Sequence, residues 1–126
     1  MKRTLLVVDD ELSIRMLLEN FLSDEFHVIT RENGYEALTW LKEGNHADLL
    51  LVDIDMPMLN GYEFTESIRK IKGMNDVPVI MLSAKQKSAD RIRSYSAGAD
   101  DYIQKPFNPE ELMVRIQAIF RRHKVA

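Results

Sequence analysis

The chain has no cysteine, which excludes disulfides, thiolate zinc sites and thiol nucleophiles. No apolar run is long enough to span a membrane. The opening Met1-Lys2-Arg3-Thr4 leads into too few apolar residues for a secretory signal. Positive charge is not in excess: a net charge of -3 gives no basic face for nucleic acid, so no direct nucleic-acid or membrane contact by this chain is expected. Internal repeats, low-complexity tracts and linkers are also missing. What remains is one domain over residues 1–126, cytoplasmic by default, long enough to bury a real core. Its apolar share of 45% and charged share of 29% are those of an ordinary soluble protein.

Short apolar runs alternate with helix-period segments, the pattern of a βα series with a parallel sheet. The strands are read at Leu5–Val8, His27–Thr30, Leu49–Val52, Val79–Leu82 (opened by Pro78, where a missing N–H does no harm) and Tyr102–Gln104. Between them, Ile14, Leu17, Leu18 and Phe21 form one helical face, then Ala37, Leu38 and Leu41 after the Asn33-Gly34 turn, then Phe64, Ile68 and Ile71. A weaker helix, Ser88–Ser96, offers only Ile92 and Tyr95 and stops at Gly98. The last helix has Asn108 as cap, Pro109 at its first position and Glu110-Glu111 on the positive dipole end; Arg121-Arg122-His123-Lys124 suits the other end. Five strands and five helices predict a doubly wound α/β domain, a five-stranded parallel sheet with helices on both faces; the order 2-1-3-4-5, one of two common choices, is the one expected. Strands one and three then meet at the switch point, where such folds bind their ligands.

The polar residues that follow these strands are the telling ones. Asp9 and Asp10 follow the first strand, Asp53 the third, Ser83 the fourth and Lys105 the fifth. All would converge at one carboxyl edge of the sheet. Two carboxylates about 4 Å apart repel by roughly 4 kcal/mol at an effective dielectric of 20, so a cation is needed to hold the cluster ionised. Hard oxygen ligands without His or Cys select Mg²⁺, with Mn²⁺ as an alternative. Asp9, Asp10 and Asp53 with one divalent cation and the Lys105 ammonium balance near zero charge. A carboxylate can attack phosphorus to give an aspartyl phosphate, and phosphoryl transfer needs mostly positioning and charge neutralisation. The cation, Lys105 and the Ser83 hydroxyl could each meet one phosphoryl oxygen, and small Ala84 leaves a path for a donor.

Taken together, Val8-Asp9-Asp10-Glu11, Asp53 through Met56-Pro57 to Asn60-Gly61, Ser83-Ala84, and Gly98-Ala99-Asp100-Asp101-Tyr102-Ile103-Gln104-Lys105-Pro106-Phe107 resemble the receiver domain of two-component response regulators over essentially the whole chain. The resemblance implies a flavodoxin-like fold and a signalling phosphoacceptor that catalyses only its own phosphorylation and dephosphorylation. Asp53 takes the phosphoryl group from a sensor histidine kinase or phosphotransfer protein. Asp10, Asp53 and the backbone carbonyl of Asp55 hold Mg²⁺, with Asp9 acting largely through water. Lys105 pairs with phosphoryl oxygens, and its bond to Pro106 is cis, a minority state for X-Pro. Ser83 moves toward the phosphoryl group, and Tyr102 follows from an outward to an inward rotamer. The face formed by the fourth helix, fifth strand and fifth helix then changes, a two-state element biased by new charge.

Asp55 departs from the family pattern, in which an apolar or neutral residue is commoner two positions after the acceptor. Its carboxylate either orients an attacking water or repels the donor. Receivers of the winged-helix transcription-factor class dimerise through the changing face. The matching residues are Arg91 with Glu111 and Asp101 with Arg115, around Ile92, Tyr95 and Met113; a third pair is missing at Ala97 and Gln117. Both a stand-alone receiver and part of a longer DNA-binding regulator remain open.

Other readings compete. A phosphatase of the haloacid dehalogenase type also uses Asp-x-Asp, as in Asp53-Ile54-Asp55, but places it on the first strand with its acidic pair last; here the pair comes first. A phosphorylation-independent pseudo-receiver typically loses an acid or the lysine, and this chain keeps all of them. Asp9–Asp10 alone would be read as solubilising, and Ser83 alone as a loop hydroxyl. Tyr102 and Trp40 are alternatively plain packing, and His27, His46 and His123 share no partner motif. Asp100–Asp101 reads as a turn and salt-bridge pair rather than a second metal site.

Overall fold

A computed structural model of the chain describes residues 2–84 and 88–122. Five apolar segments form strands β1 (Thr4–Val8), β2 (His27–Arg31), β3 (Leu49–Asp53), β4 (Val79–Ser83) and β5 (Asp101–Gln104). Between and after them run helices α1 (Leu12–Leu22), α2 (Gly34–Lys42), α3 (Gly61–Ile68), α4 (Ser88–Ser96) and α5 (Pro109–Arg122). The strands form one parallel sheet in the order β2-β1-β3-β4-β5, the expected one of the two common doubly wound orders. β1, β3 and β4 are buried almost throughout, which is why they read as continuous rather than alternating apolar runs.

The pairing register decides what happens at the carboxyl edge. Val8 lies opposite Val52, Asp53 opposite Leu82, and Ser83 opposite Gln104. Positions 9, 53, 83 and 105 therefore reach the same edge within about one residue of each other.

Two apolar layers cover the sheet. On one face Leu18 and Leu22 of α1 and Leu112, Ile116 and Ile119 of α5 pack on Leu5, Val7, Leu51 and Ile80. On the other, Ala37, Leu38 and Leu41 of α2 and Phe64 and Ile68 of α3 pack on Leu6, Val52 and Met81, with Tyr102 in the same cluster. Each such large side chain contributes roughly 1.5–3 kcal/mol through removal from water.

One expected core position is not buried. Leu17 is 43% exposed, while Leu18 and Leu22 are fully buried and Ile14 and Phe21 only partly. α1 turns a narrow arc centred on Leu18 to the sheet, and Leu17 lies about 100° round the helix from it. α3 ends at Ile68, so Ile71 packs from the following turn. The caps are ordinary: Asn33 Oδ1 accepts the Glu36 N–H at 2.8 Å, Asn60 and Glu63 form a reciprocal capping box, and Asn108 Oδ1 accepts the Glu110 N–H at 2.8 Å.

α4 is attached differently from the others. Among its described side chains only Ser94 is buried, and Ile92 and Tyr95 are 66% and 50% exposed. Trp40 packs partly against the α2 layer, with the Arg31 guanidinium 5.7 Å from its ring. His27 and His46 lie at the surface, His46 beside Asp48 at 3.0 Å; His123 and Lys124 lie outside the described residues.

Candidate functional site

β1 delivers Asp9 to the edge of the sheet fully buried. Its Oδ1 accepts the Glu11 N–H at 2.9 Å, serving a donor at the head of α1, where Glu11 itself makes no side-chain cap. Its Oδ2 lies 2.8 Å from Lys105 Nζ, and its carbonyl accepts from Arg15 Nη1 at 2.7 Å. Asp9 is therefore held from both ends. Asp10 is exposed beside it.

Asp53, at the end of β3, is only 3% exposed. Its Oδ1 lies 3.3 Å from Lys105 Nζ and 3.4 Å from the Asp55 amide. Oxygens of Asp9, Asp10 and Asp53 all lie within 4.8 Å of one another, and no other such cluster occurs among the described residues. Lys105 reaches them because β5 ends beside β4: its N–H donates to the Ser83 carbonyl at 2.6 Å, and its Nζ also approaches Glu11 Oε1 at 3.5 Å. Ser83 is buried and Ala84 exposed beside it. The Lys105–Pro106 bond is cis.

Burial pushes the Asp53 carboxyl up to about 7, with repulsion from Asp9 adding to it and Lys105 opposing it. Burial raises Asp9 too, against the hydrogen bond from Lys105. Burial works against the Lys105 ammonium, but its bond to Asp9 and the charges of Asp9 and Asp53 outweigh that, and its pKa is raised. One ammonium does not neutralise three carboxylates. An all-oxygen donor set with surplus negative charge fits a hard divalent cation.

Three further residues shape the site without having been singled out from the sequence for these contacts. Gly61 packs against the backbone of the Asp53 segment: a Cβ there would lie 2.7 Å from the Asp53 carbonyl oxygen and 2.8 Å from Ile54 Cα. The Gly61 N–H also donates to the Ile54 carbonyl at 3.0 Å. Glu11 and Arg15 bind Lys105 and Asp9 as described. Of these, only Gly61 and Glu11 had a signal, as members of the quoted motifs.

Tyr102 points inward, 5% exposed, with the Arg91 guanidinium 5.6 Å from its ring. On the face around it, one of the expected pairs is made within the chain. Arg115 binds Asp101 within the chain, at 3.0 and 3.2 Å, and lies 3.5 Å from Glu111. The Asp101–Arg115 pair is thus already closed without a second protomer. Ile92 and Tyr95 are exposed and Met113 partly buried. Asp100 acts as a turn residue, its Oδ2 accepting the Val79 N–H at 2.9 Å. It lies 3.8 Å from Arg69, which donates to the carbonyls of Val77 (2.6 Å), Met74 (3.3 Å) and Gly98.

The comparisons agree with this geometry. A family model described as response regulator receiver domain matches residues 5–117. A probable transcriptional regulator, ycf27, of Cyanophora paradoxa is 46% identical over 122 residues, covering 96% of this chain and 49% of that protein. The transcriptional regulatory protein ResD of Bacillus subtilis is 45% identical over 119 residues, covering 94% of this chain and 48% of its own length. The chain thus spans about half the length of these curated relatives. Among solved structures, a putative response regulator from Chloroflexus aurantiacus superposes with a TM-score of 0.90 at 33% identity, covering 96% of this chain and 99% of that one. The chemotaxis protein CheY4 of Vibrio cholerae gives 0.89 at 30% identity, covering 94% and 99%.

Proposed function

Because the chain belongs to the response regulator receiver family, we propose that it is a phosphorylation switch whose acceptor is Asp53. The observation that carries the reading is the meeting of Asp9, Asp10, Asp53 and Lys105 at one carboxyl edge of the sheet. The phosphatase alternative is not favoured: the acidic pair precedes Asp53 in the chain, and the family model spans both.

In this reading an Asp53 carboxylate oxygen attacks the phosphorus of a phosphohistidine on a sensor histidine kinase or phosphotransfer protein. A P–O bond forms, the P–N bond breaks, and the imidazole leaves with the bonding pair and takes a proton. Asp10, Asp53 and the Asp55 carbonyl are the residues to hold Mg²⁺, with Asp9 behind them; the ion, when bound, neutralises charge on the transferring oxygens. Lys105 supplies a second positive charge, already 3.3 Å from Asp53 Oδ1. Ser83 offers a hydroxyl to a third oxygen, and Ala84 keeps the approach open. Tyr102 carries the change to the α4–β5–α5 face, where a homodimer or another partner would read it. Since Asp101 and Arg115 already bind each other, such a dimer leans on Ile92, Tyr95 and Arg91 more than on that pair. The chain acts as a phosphoacceptor and turns over only its own acyl phosphate, which places its work in the cytoplasm alongside the kinase.

The test is intact mass after incubation with Mg²⁺ and acetyl phosphate, for the unaltered chain and Asp53→Asn. A gain of one phosphoryl group in the unaltered chain only, abolished by chelation, is expected. If beryllofluoride, a stable phosphoryl mimic, also fails to bind the unaltered chain, the phosphoacceptor reading falls.

A further inference from the structure

α4 carries little apolar anchorage, so what holds it is worth tracing. Two tyrosines reach it from the rest of the molecule, each with an arginine of α4 over its ring. Tyr102 of β5 lies under Arg91, and Tyr62 of α3 lies under Arg93, whose guanidinium is 4.1 Å from the ring centroid. Tyr62 is 4% exposed, and its hydroxyl is 3.4 Å from the main-chain carbonyl of Asp90. The same carbonyl accepts from Ser94 Oγ at 2.9 Å. Burial raises the Tyr62 hydroxyl pKa, with a hydrogen bond involving Ser94 opposing it, so the group stays a neutral donor.

The other end of Tyr62 is tied to the acceptor. Gly61, its chain neighbour, has no room for even a Cβ against the Asp53 carbonyl, and its N–H is bonded to Ile54. Close-packed backbone transmits displacement rather than absorbing it. A shift of the Asp53 segment therefore moves the first turn of α3, and with it the tyrosine that touches α4. α4 itself is not fully satisfied where it lies: Asp90 Oδ2 is buried with no hydrogen-bond partner among the described residues. With only Ser94 buried among its described side chains and Ile92 and Tyr95 exposed, α4 has little packing to resist displacement.

We infer that Tyr62 is a second transmission residue, coupling the Asp53 segment to α4 through Gly61 on one side and through Asp90, Ser94 and Arg93 on the other, in parallel with Tyr102. The inference rests on the phosphoacceptor reading given above. No motif or apolar periodicity in the sequence singles out Tyr62 for this role.

The test follows amide hydrogen exchange of α4 with Mg²⁺ alone and with added beryllofluoride, in the unaltered chain, Tyr62→Phe and Arg93→Gln. Phosphoryl uptake from acetyl phosphate is followed by intact mass in parallel. Tyr62→Phe keeps the buried ring, so the fold is retained. Both variants are expected to take the phosphoryl group, while the beryllofluoride-induced change at α4 is at least halved. The unaltered response in both variants, with phosphoryl uptake intact, overturns the inference and leaves the phosphoacceptor reading standing. Failure of the unaltered chain to take either group overturns the reading beneath it, and the inference with it.

Discussion

Lys105 lies closer to Asp9 than to Asp53, its Nζ 2.8 Å from Asp9 Oδ2 and 3.3 Å from Asp53 Oδ1. The lysine thus spends its charge first on the residue least free to move, and Asp53 keeps most of its buried repulsion. Burial is the main reason its carboxyl is pushed to about 7, and the Asp9 charge beside it adds to that.

Lys105→Gln leaves Asp9 and Asp53 facing each other in a buried site without a cation. Removing one partner of a buried pair costs about 3 kcal/mol. Urea denaturation in chelator at pH 8 should show that loss, with a smaller one at pH 5, where Asp53 carries a proton. Equal losses at both pH values would assign the effect to packing of the lysine stem instead.

Asp53→Asn should act in the opposite direction. The folded value of about 7 lies above the ordinary 3.8, so the folded state binds this proton more tightly than the unfolded one. The stabilising contribution is complete below the ordinary value and is lost as pH rises through the folded one. Replacing the carboxylate with an amide should therefore gain about 4 kcal/mol at pH 8 in chelator and almost nothing at pH 4. Denaturation midpoints across that range check it, and a gain confined to acid pH would contradict it.

Gly61→Ala places a methyl group 2.7 Å from the Asp53 carbonyl oxygen, against backbone that has no rotamer to change. Overpacking of this kind costs about 1–3 kcal/mol. The segment carrying Asp53 should also shift, so phosphoryl uptake from acetyl phosphate should slow along with the loss of stability. Unchanged uptake in a folded variant would mean that the loop, not the strand end, gives way.

Arg69→Met keeps most of the side-chain stem but removes the donor to the Val77, Met74 and Gly98 carbonyls. Leaving buried acceptors unpaired costs about 1–3 kcal/mol each at most, and about 2 kcal/mol overall is expected. Amide exchange should quicken first in residues 74–79 and 97–100. Uniform loss across the sheet would argue that Arg69 supports the fold globally.

Much of this is legible in the amino-acid sequence. The strands announced themselves as apolar runs closed by Asp9, Asp53, Ser83 and Lys105, and the unbroken βα alternation gave a parallel doubly wound sheet, whose order was one of two common choices. Asn108 and Pro109 marked the last helix because capping is a local property. What could not be read is long-range. Leu17 looks as apolar as Leu18, and only the angle at which α1 meets the sheet tells them apart. Arg69 binds Gly98 across 29 positions of chain, a contact with no periodic trace. Gly61 could be recognised as a motif member, but its closeness to the Asp53 carbonyl belongs to the folded loop alone.

The two apolar layers differ in a way that matters to anyone wishing to engineer this chain. The α1–α5 layer joins Leu5, Val7, Leu18, Ile80, Ile116 and Ile119 with the Phe26–Phe120 ring pair. Tyr62 and Tyr102, and the buried Thr65–Met81 contact, belong to the opposite layer. On the proposed reading the path from Asp53 to α4 runs through this second layer, while α5, in the first, contributes one side of the α4–β5–α5 face. A designer seeking a more heat-resistant switch for a synthetic circuit would repack the first layer and leave the second as it stands.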